Sequence, residues 1–236
     1  MNIRLYFPNS IVENSVVLLS QEQTHYVSNV MRLKRGSKLN FFNENGEWES
    51  EIVFLEKSRL EVKFLKKVKQ PKNLSNIELA ICLVKKNSME NILQKATELG
   101  VCSIVPILSE RTEVKELNYE RANKIIIEAT EQSNQLTPPK ISKITTLSDF
   151  LKKDGEPKKI LFADVNSSYK LKTENIRDNK FVSILIGPEG DFSPSERENI
   201  LKNPSVLSFT LSSNILRSDT AVISAISLVN FINNFN

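Results

Sequence analysis

Two short loops in this chain combine residue types suited to holding a small ligand. In Ile184-Leu185-Ile186-Gly187-Pro188-Glu189-Gly190-Asp191-Phe192 an apolar run enters a turn with glycine at each end and proline between. Such glycines let the backbone approach a ligand closely, and Pro188 fixes the path between them. In Leu211-Ser212-Ser213-Asn214-Ile215-Leu216-Arg217-Ser218-Asp219-Thr220-Ala221 a guanidinium precedes a Ser/Asp pair and then an apolar helical segment, so Arg217 could face a pocket at a helix start. Each loop also has a plainer reading, as a strand-to-helix turn without a ligand or as an ordinary cap with Arg217 on the surface. Other chemistries are poorly supplied. His25, Cys82 and Cys102 are the only imidazole and thiols, too few for a four-ligand Cys/His zinc site, and no metal is expected. The six glycines form neither GxGxxG nor a P-loop, which disfavours nucleotide sites that cradle phosphates.

The elements that must position these loops follow from periodicity. Residues 1 to about 70 predict short strands over 4–7, 16–19, 38–42, 49–55 and 59–66, the pattern of a small barrel-like domain. A capping box at Ser20 and Gln23 opens a helix carrying Tyr26, Val27, Val30 and Met31, and Asn45-Gly46 signals a hairpin. This segment holds 11 Lys and Arg against 8 Glu and no Asp, most of the chain's formal charge of +4. A basic face and an ordinary solvated surface are both open readings of that excess. Gln70 to Asn76 has linker composition, so domains are expected over 1–71 and 76–236. Beyond it, apolar runs at 77–84, 103–108, 159–163, 181–186 and 206–211 alternate with helical segments, as strands buried on both faces of a largely parallel sheet do. That is an α/β domain, and both loops lie where such sheets bind ligands, beyond the carboxyl ends of strands. Its helices are signposted by Asn87 and Glu90 as a capping box and Gly100 as a stop. Further signs are the stripe Ala122, Ile125, Ile126 and Ala129, the Ser193-Pro194-Ser195-Glu196 start, and the apolar segment 220–231.

The 236 residues, 40% hydrophobic and 25% charged, suffice for one or two cored domains. No signal peptide and no membrane-length apolar run is evident, so a cytoplasmic protein without a membrane partner is expected.

Taken in order and spacing, LVKKNSMENILQKATELGV, SIVPILSERTEV, EATEQS, LIGPEGDFSPSE and ILRSDTA resemble the RsmE family of 16S ribosomal RNA (uracil-N3)-methyltransferases, within the SPOUT or α/β-knot superfamily. HYVSNVMRLKRG is similar to that family's amino-terminal, PUA-like RNA-binding barrel. The resemblance implies a SPOUT trefoil-knot methyltransferase domain behind a PUA-like β-barrel, S-adenosylmethionine as cofactor, and a homodimer formed through the knot domain. It also implies 16S ribosomal RNA of the small ribosomal subunit as partner. Carried over by motif, Leu185, Ile186, Gly187, Pro188, Glu189 and Gly190 line one cofactor wall, and Leu211, Ser212, Asn214, Ile215, Leu216, Thr220 and Ala221 the other. Asp191, Ser212, Asn214, Gln135 and Ser88 depart from the family's pattern, Asp191 standing where a second glycine is usual.

For methylation of uracil N3, the proton must leave a weakly acidic nitrogen and charge must spread to O2 and O4. Arg217 is then the candidate to stabilise that charge and Glu189 to accept the proton, with a loop-ordering carboxylate as the competing role for Glu189. RNA contacts are expected from Arg4, Arg32, Lys34, Arg35, Lys85, Arg111 and Gln132. Two rivals remain open: a SPOUT methyltransferase with another RNA target, and a non-catalytic RNA-binding dimer.

Overall fold

The computed structural model describes residues 3–56, 59–71, 75–152, 159–176 and 181–234. It divides into two compact units, Met1–Asn73 with Thr130–Thr137, and Leu74–Ala129 with Pro138–Asn236. Among the described residues no helix is long and apolar enough to cross a membrane.

The first unit is built on strands β1 (Arg4–Tyr6), β2 (Val16–Leu18), β3 (Lys38–Asn43), β4 (Gly46–Glu56) and β5 (Arg59–Lys69), in sheet order β1-β3-β4-β5-β2. β1 runs parallel to β3 and the remaining pairs are antiparallel. Strand alternation turns Leu60, Val62 and Phe64 inward from β5, where they meet Leu39, Phe41, Trp48 and Ile52. Phe7, Phe41 and Phe64 pack edge to face with ring centroids 5.5–5.9 Å apart, each pair worth about 0.5–1.5 kcal/mol beyond its burial.

One local expectation is corrected in this unit, and the hairpin expected at Asn45-Gly46 is present with its turn one residue earlier. Ser20 does cap α1 (Gln21–His25), accepting from Gln23 N, but the helix widens into a π turn over Tyr26–Val30. Val27 is buried there while Val30 and Met31 are exposed, so the apolar stripe does not hold together. At the hairpin the turn residues are Glu44 and Asn45. Gly46 already pairs with Asn43, at φ +136, where a Cβ would collide with the Lys69 carbonyl oxygen.

The second unit has a sheet ordered β12-β10-β11-β6-β7-β8, with β9 also on β7: β6 (Ile77–Cys82), β7 (Ser103–Leu108), β8 (Lys140–Ile141), β9 (Thr145–Thr146), β10 (Lys159–Ala163), β11 (Val182–Ile186) and β12 (Val206–Phe209). Every pairing is parallel. Successive side chains of the central strands face opposite cores, which is why these runs are apolar throughout. Leu79, Ile81, Ile184 and Ile186 pack under α2 (Lys86–Glu98), α3 (Tyr119–Gln132) and α6 (Ser218–Asn234). Ala80, Cys82, Phe162 and Leu185 pack under α4 (Leu147–Lys152) and α5 (Pro194–Lys202). The short β8 and β9 lack a sequence signal strong enough to announce them, whereas α4 follows an N-cap, Thr146 Oγ1 accepting from Asp149 N at 3.1 Å.

Helix signals hold in part. Ala122, Ile125, Ile126 and Ala129 are buried on α3, and Ser193 with Glu196 forms the complete capping box of α5. Gly100 ends α2 at φ +83. The box expected at Asn87 and Glu90 is absent, because α2 starts at Lys86 with Lys85 as its uncapped boundary and the Glu90 carboxylate is paired to Arg121 at 3.0 Å.

Candidate active site

The carboxyl ends of four neighbouring strands, β12, β10, β11 and β6, open into one cavity of about 1040 Å³ in the second unit. Its walls are the loops that leave those ends: Lys85 to Ser88 after β6, Ala163 to Val165 after β10, Ile186 to Asp191 after β11, and Thr210 to Ala221 after β12. The site is therefore assembled by strand order, which brings together loops far apart in the chain, as open α/β sheets do.

The β11 loop is held from several sides. Asp191 N donates to Pro188 O at 3.0 Å, and Asp191 adopts φ +57, the left-handed conformation that favours glycine; its Oδ1 accepts from Phe192 N at 2.8 Å. A Cβ on Gly187 would lie 3.0 Å from the ring of Phe192, which stacks edge to face on Phe162 at 5.6 Å. The β12 loop is shaped by Asn214 N donating to Ser212 Oγ and Thr210 Oγ1 donating to Ser212 O, both at 3.0 Å. Ala221 N donates to Arg217 O at 2.8 Å, so Arg217 stands at the first turn of α6 with its side chain exposed at the cavity wall.

Of the expected cofactor residues, Ile186, Gly187, Pro188, Glu189, Gly190, Leu211, Ser212, Asn214, Ile215, Leu216 and Ala221 line this cavity. Leu185 and Thr220 do not. Leu185 alternates to the opposite sheet face and is fully buried beside Phe192 and Ile200, while Thr220 is exposed on α6. Glu189 and Arg217 share the cavity, and Lys85 lies 4.0 Å from the Glu189 carboxylate at its exposed edge.

Asp164 is a lining residue that motif reading does not find. It is 4% exposed, and its Oδ2 accepts from Arg197 at 2.6 Å and Ser208 at 3.1 Å, its Oδ1 from Asn166 N at 2.9 Å. Burial opposes its charged form, but the Arg197 hydrogen bond and charge, with Asn166 N and Ser208, outweigh it and hold the carboxyl below its usual range. A signal did exist: Asp164 directly follows the apolar run of β10, as Gly187 follows that of β11. Cys82, buried beneath the sheet's end, has its thiol pushed up to about 12 by burial, so it is no nucleophile.

The expected RNA contacts separate sharply. Arg32, Lys34 and Arg35 form an exposed loop in the first unit, with Arg32 at φ +53. Lys85 is exposed at the cavity, and Arg111 is exposed but reaches Gly190 O at 3.1 Å. Gln132, exposed at the end of α3, does not line the cavity. Arg4 belongs to the framework of the first unit. Its side chain is 10% exposed, donates to Glu47 at 3.0 Å and to the carbonyls of Glu131 and Gln135 at 2.8 Å, and lies 4.3 Å over the Phe42 ring. Those bonds, with Tyr6 N donating to Glu131, tie Thr130–Thr137 to the first unit.

A family model described as an RNA methyltransferase domain matches residues 70–230, and one described as an RNA methyltransferase PUA domain matches residues 19–65. The chain is 36% identical over 231 residues to the ribosomal RNA small subunit methyltransferase E of Rickettsia conorii, covering 96% of this chain and 94% of that protein. It is 30% identical to the Aquifex aeolicus protein of the same name, over 92% and 95%. Among solved structures, the Neisseria gonorrhoeae ribosomal RNA small subunit methyltransferase E bound to S-adenosyl methionine superposes with a TM-score of 0.89 at 28% identity, covering 98% of both chains. A Legionella pneumophila structure in complex with the cofactor SAM gives 0.85 at 29% identity, again over 98% of both. With full-length relatives, both domain models and the cavity between its motif loops in agreement, this chain belongs to the ribosomal RNA small subunit methyltransferase E family.

Proposed function

We propose that this protein transfers a methyl group from S-adenosylmethionine to N3 of a uridine in 16S ribosomal RNA of the small ribosomal subunit. The observation that carries the reading is the single cavity shared by the GPEG and ILRSDTA loops at the carboxyl ends of four strands. Its lining fits the cofactor: Ile186, Leu211, Leu216 and Ala221 offer apolar contact, and the loop backbones offer donors and acceptors without a phosphate cradle. At about 1040 Å³ it stands at the upper end of the roughly 300–1000 Å³ usual for one small ligand, which leaves room for a target base. When bound, S-adenosylmethionine supplies an activated methyl group.

The chain's own work is positioning, water exclusion and charge control. Arg217, at the cavity wall, stabilises negative charge developing on uracil O2 and O4, and Glu189 accepts the N3 proton. Arg32, Lys34 and Arg35 in the barrel and Lys85 at the cavity mouth meet RNA phosphates, setting affinity and salt dependence rather than the target base.

The trefoil knot is supported by the chain path, which leaves the sheet edge after β12 and returns as α6 to pack on β11 and α2. Dimerisation through that domain is supported by Thr220, Ser227 and Phe231, spaced along one face of α6 and exposed, Phe231 by 60%. A substrate of that kind is met in the cytoplasm.

The test is transfer of labelled methyl to small subunits lacking the modification, with nuclease digestion and mass spectrometry of the labelled nucleoside. Recovery of 3-methyluridine from 16S RNA is expected. Intact cofactor binding without label would point to another RNA target, and no cofactor binding to a non-catalytic RNA-binding dimer.

A further inference from the structure

We infer that Arg111 is a positioning residue that sets the orientation of Glu189 from outside the cavity. Arg111 stands on a turn closed from within: Ser109 N donates to Thr112 Oγ1 at 3.0 Å, Thr112 N to Ser109 O at 3.2 Å, and both side chains are buried. The preceding residue is anchored as well. Glu110 N donates to Glu196 Oε1 at 2.8 Å, while the other oxygen of that carboxylate accepts from Ser193 N at 3.0 Å, so Glu196 ties this turn to the start of α5. From that fixed base the Arg111 guanidinium crosses to the β11 loop, Nη1 lying 3.1 Å from Gly190 O and 3.4 Å from Phe192 O.

The bond falls on the carbonyl of the residue that follows Glu189. Gly190 follows Glu189 directly and has no Cβ to restrict rotation, and the next residue, Asp191, sits at φ +57. A carbonyl anchored at Gly190 fixes both faces of this junction, and the loop lies on the aliphatic stem of Arg111, a Cβ on Gly190 falling 3.8 Å from Arg111 Cβ. The turn's own bond, Asp191 N to Pro188 O at 3.0 Å, closes it on one side, and Arg111 holds it from the other. A guanidinium suits the task because it donates to two carbonyls in a fixed plane, which an ammonium cannot do with the same geometry. The exposed cation at position 111 thus has a task at the site other than meeting phosphate.

The inference rests on Glu189 as proton acceptor, and a double-mutant cycle separates the two claims. Methyl transfer to unmodified small subunits is measured at saturating cofactor and subunit for the wild type, Arg111→Ala, Glu189→Gln and the double variant. Calorimetric S-adenosylmethionine affinity and Tm are recorded for each. Arg111→Ala is expected to lower kcat about tenfold, with cofactor Kd changed by less than about threefold, the size of one charged hydrogen bond acting on turnover. In the Glu189→Gln background the same change should do nothing further, and Arg111→Lys should recover part of the rate. A fully multiplicative double variant would overturn the positioning role while leaving Glu189 in place. A normal rate for Glu189→Gln would remove the proton acceptor and this inference together. An Arg111→Ala variant altered only in RNA affinity and salt slope, or only in Tm, would make Arg111 a phosphate contact or a plain brace.

Discussion

Replacing Arg4 by alanine distinguishes a framework cation from an RNA-contacting one. The substitution removes one charged bond to Glu47 and two to the carbonyls of Glu131 and Gln135, all 2.8–3.0 Å long, and leaves a carboxylate that is 1% exposed. Breaking a buried ion pair from one side costs about 3–5 kcal/mol. Here Glu47 keeps Lys69 at 2.8 Å and Asn40 at 2.6 Å, so the lower end applies, a loss of about 3 kcal/mol. The assay is urea unfolding of the first unit's tryptophan signal, since Trp48 is buried in that core. The pH dependence carries a second signature. Burial pushes the Glu47 carboxyl up, but hydrogen bonds from Lys69 and Asn40 and the Arg4 charge and bond outweigh it and hold it below its usual range. A depressed folded pKa gives stability that is present above the unfolded value near about 4.3 and lost as pH falls through the folded one. The wild type should therefore lose more stability than the variant on acidification from neutral pH into that window. A variant within about 0.5 kcal/mol of the wild type, but with a shallower salt dependence of RNA binding, would refute the framework assignment.

Gly187→Ala should lower stability by about 1–3 kcal/mol and weaken cofactor binding in calorimetry, because its Cβ meets Phe192 at 3.0 Å and Phe192 is held by Phe162; adding Phe192→Leu should relieve both effects. Arg217→Ala should reduce kcat by at least about tenfold with cofactor affinity little changed, and an unaltered rate would remove its assigned role. Neutralising Lys34 and Arg35 together should flatten the plot of log affinity against log salt by about 0.7–0.9 for each phosphate no longer neutralised, while an unchanged slope would identify a solvated face. Asp164→Asn, which leaves the Arg197 guanidinium without its anion, should cost about 1–3 kcal/mol of stability and weaken cofactor binding, as read by thermal melts and calorimetry.

The sequence by itself determined whatever local periodicity and adjacent motifs encode. The stripe on α3, the Ser193–Glu196 cap and the β11 run into Gly187 were legible because helix and strand faces repeat within a few residues. So were the two motif loops and the family they resemble. Only the tertiary structure decided which loops meet. Asp164 became a cavity residue because β10 lies between β12 and β11, an order that no local pattern specifies. Arg4 looks basic and available in sequence, yet its partners lie 43, 127 and 131 residues away, and their approach withdraws it from solvent. Leu185 and Ile186 are adjacent and equally apolar; the pleat alone sends one to the far core and the other to the cavity. Residue type states what a side chain can do, whereas burial and long-range partners, which depend on the whole chain's path, select what it does.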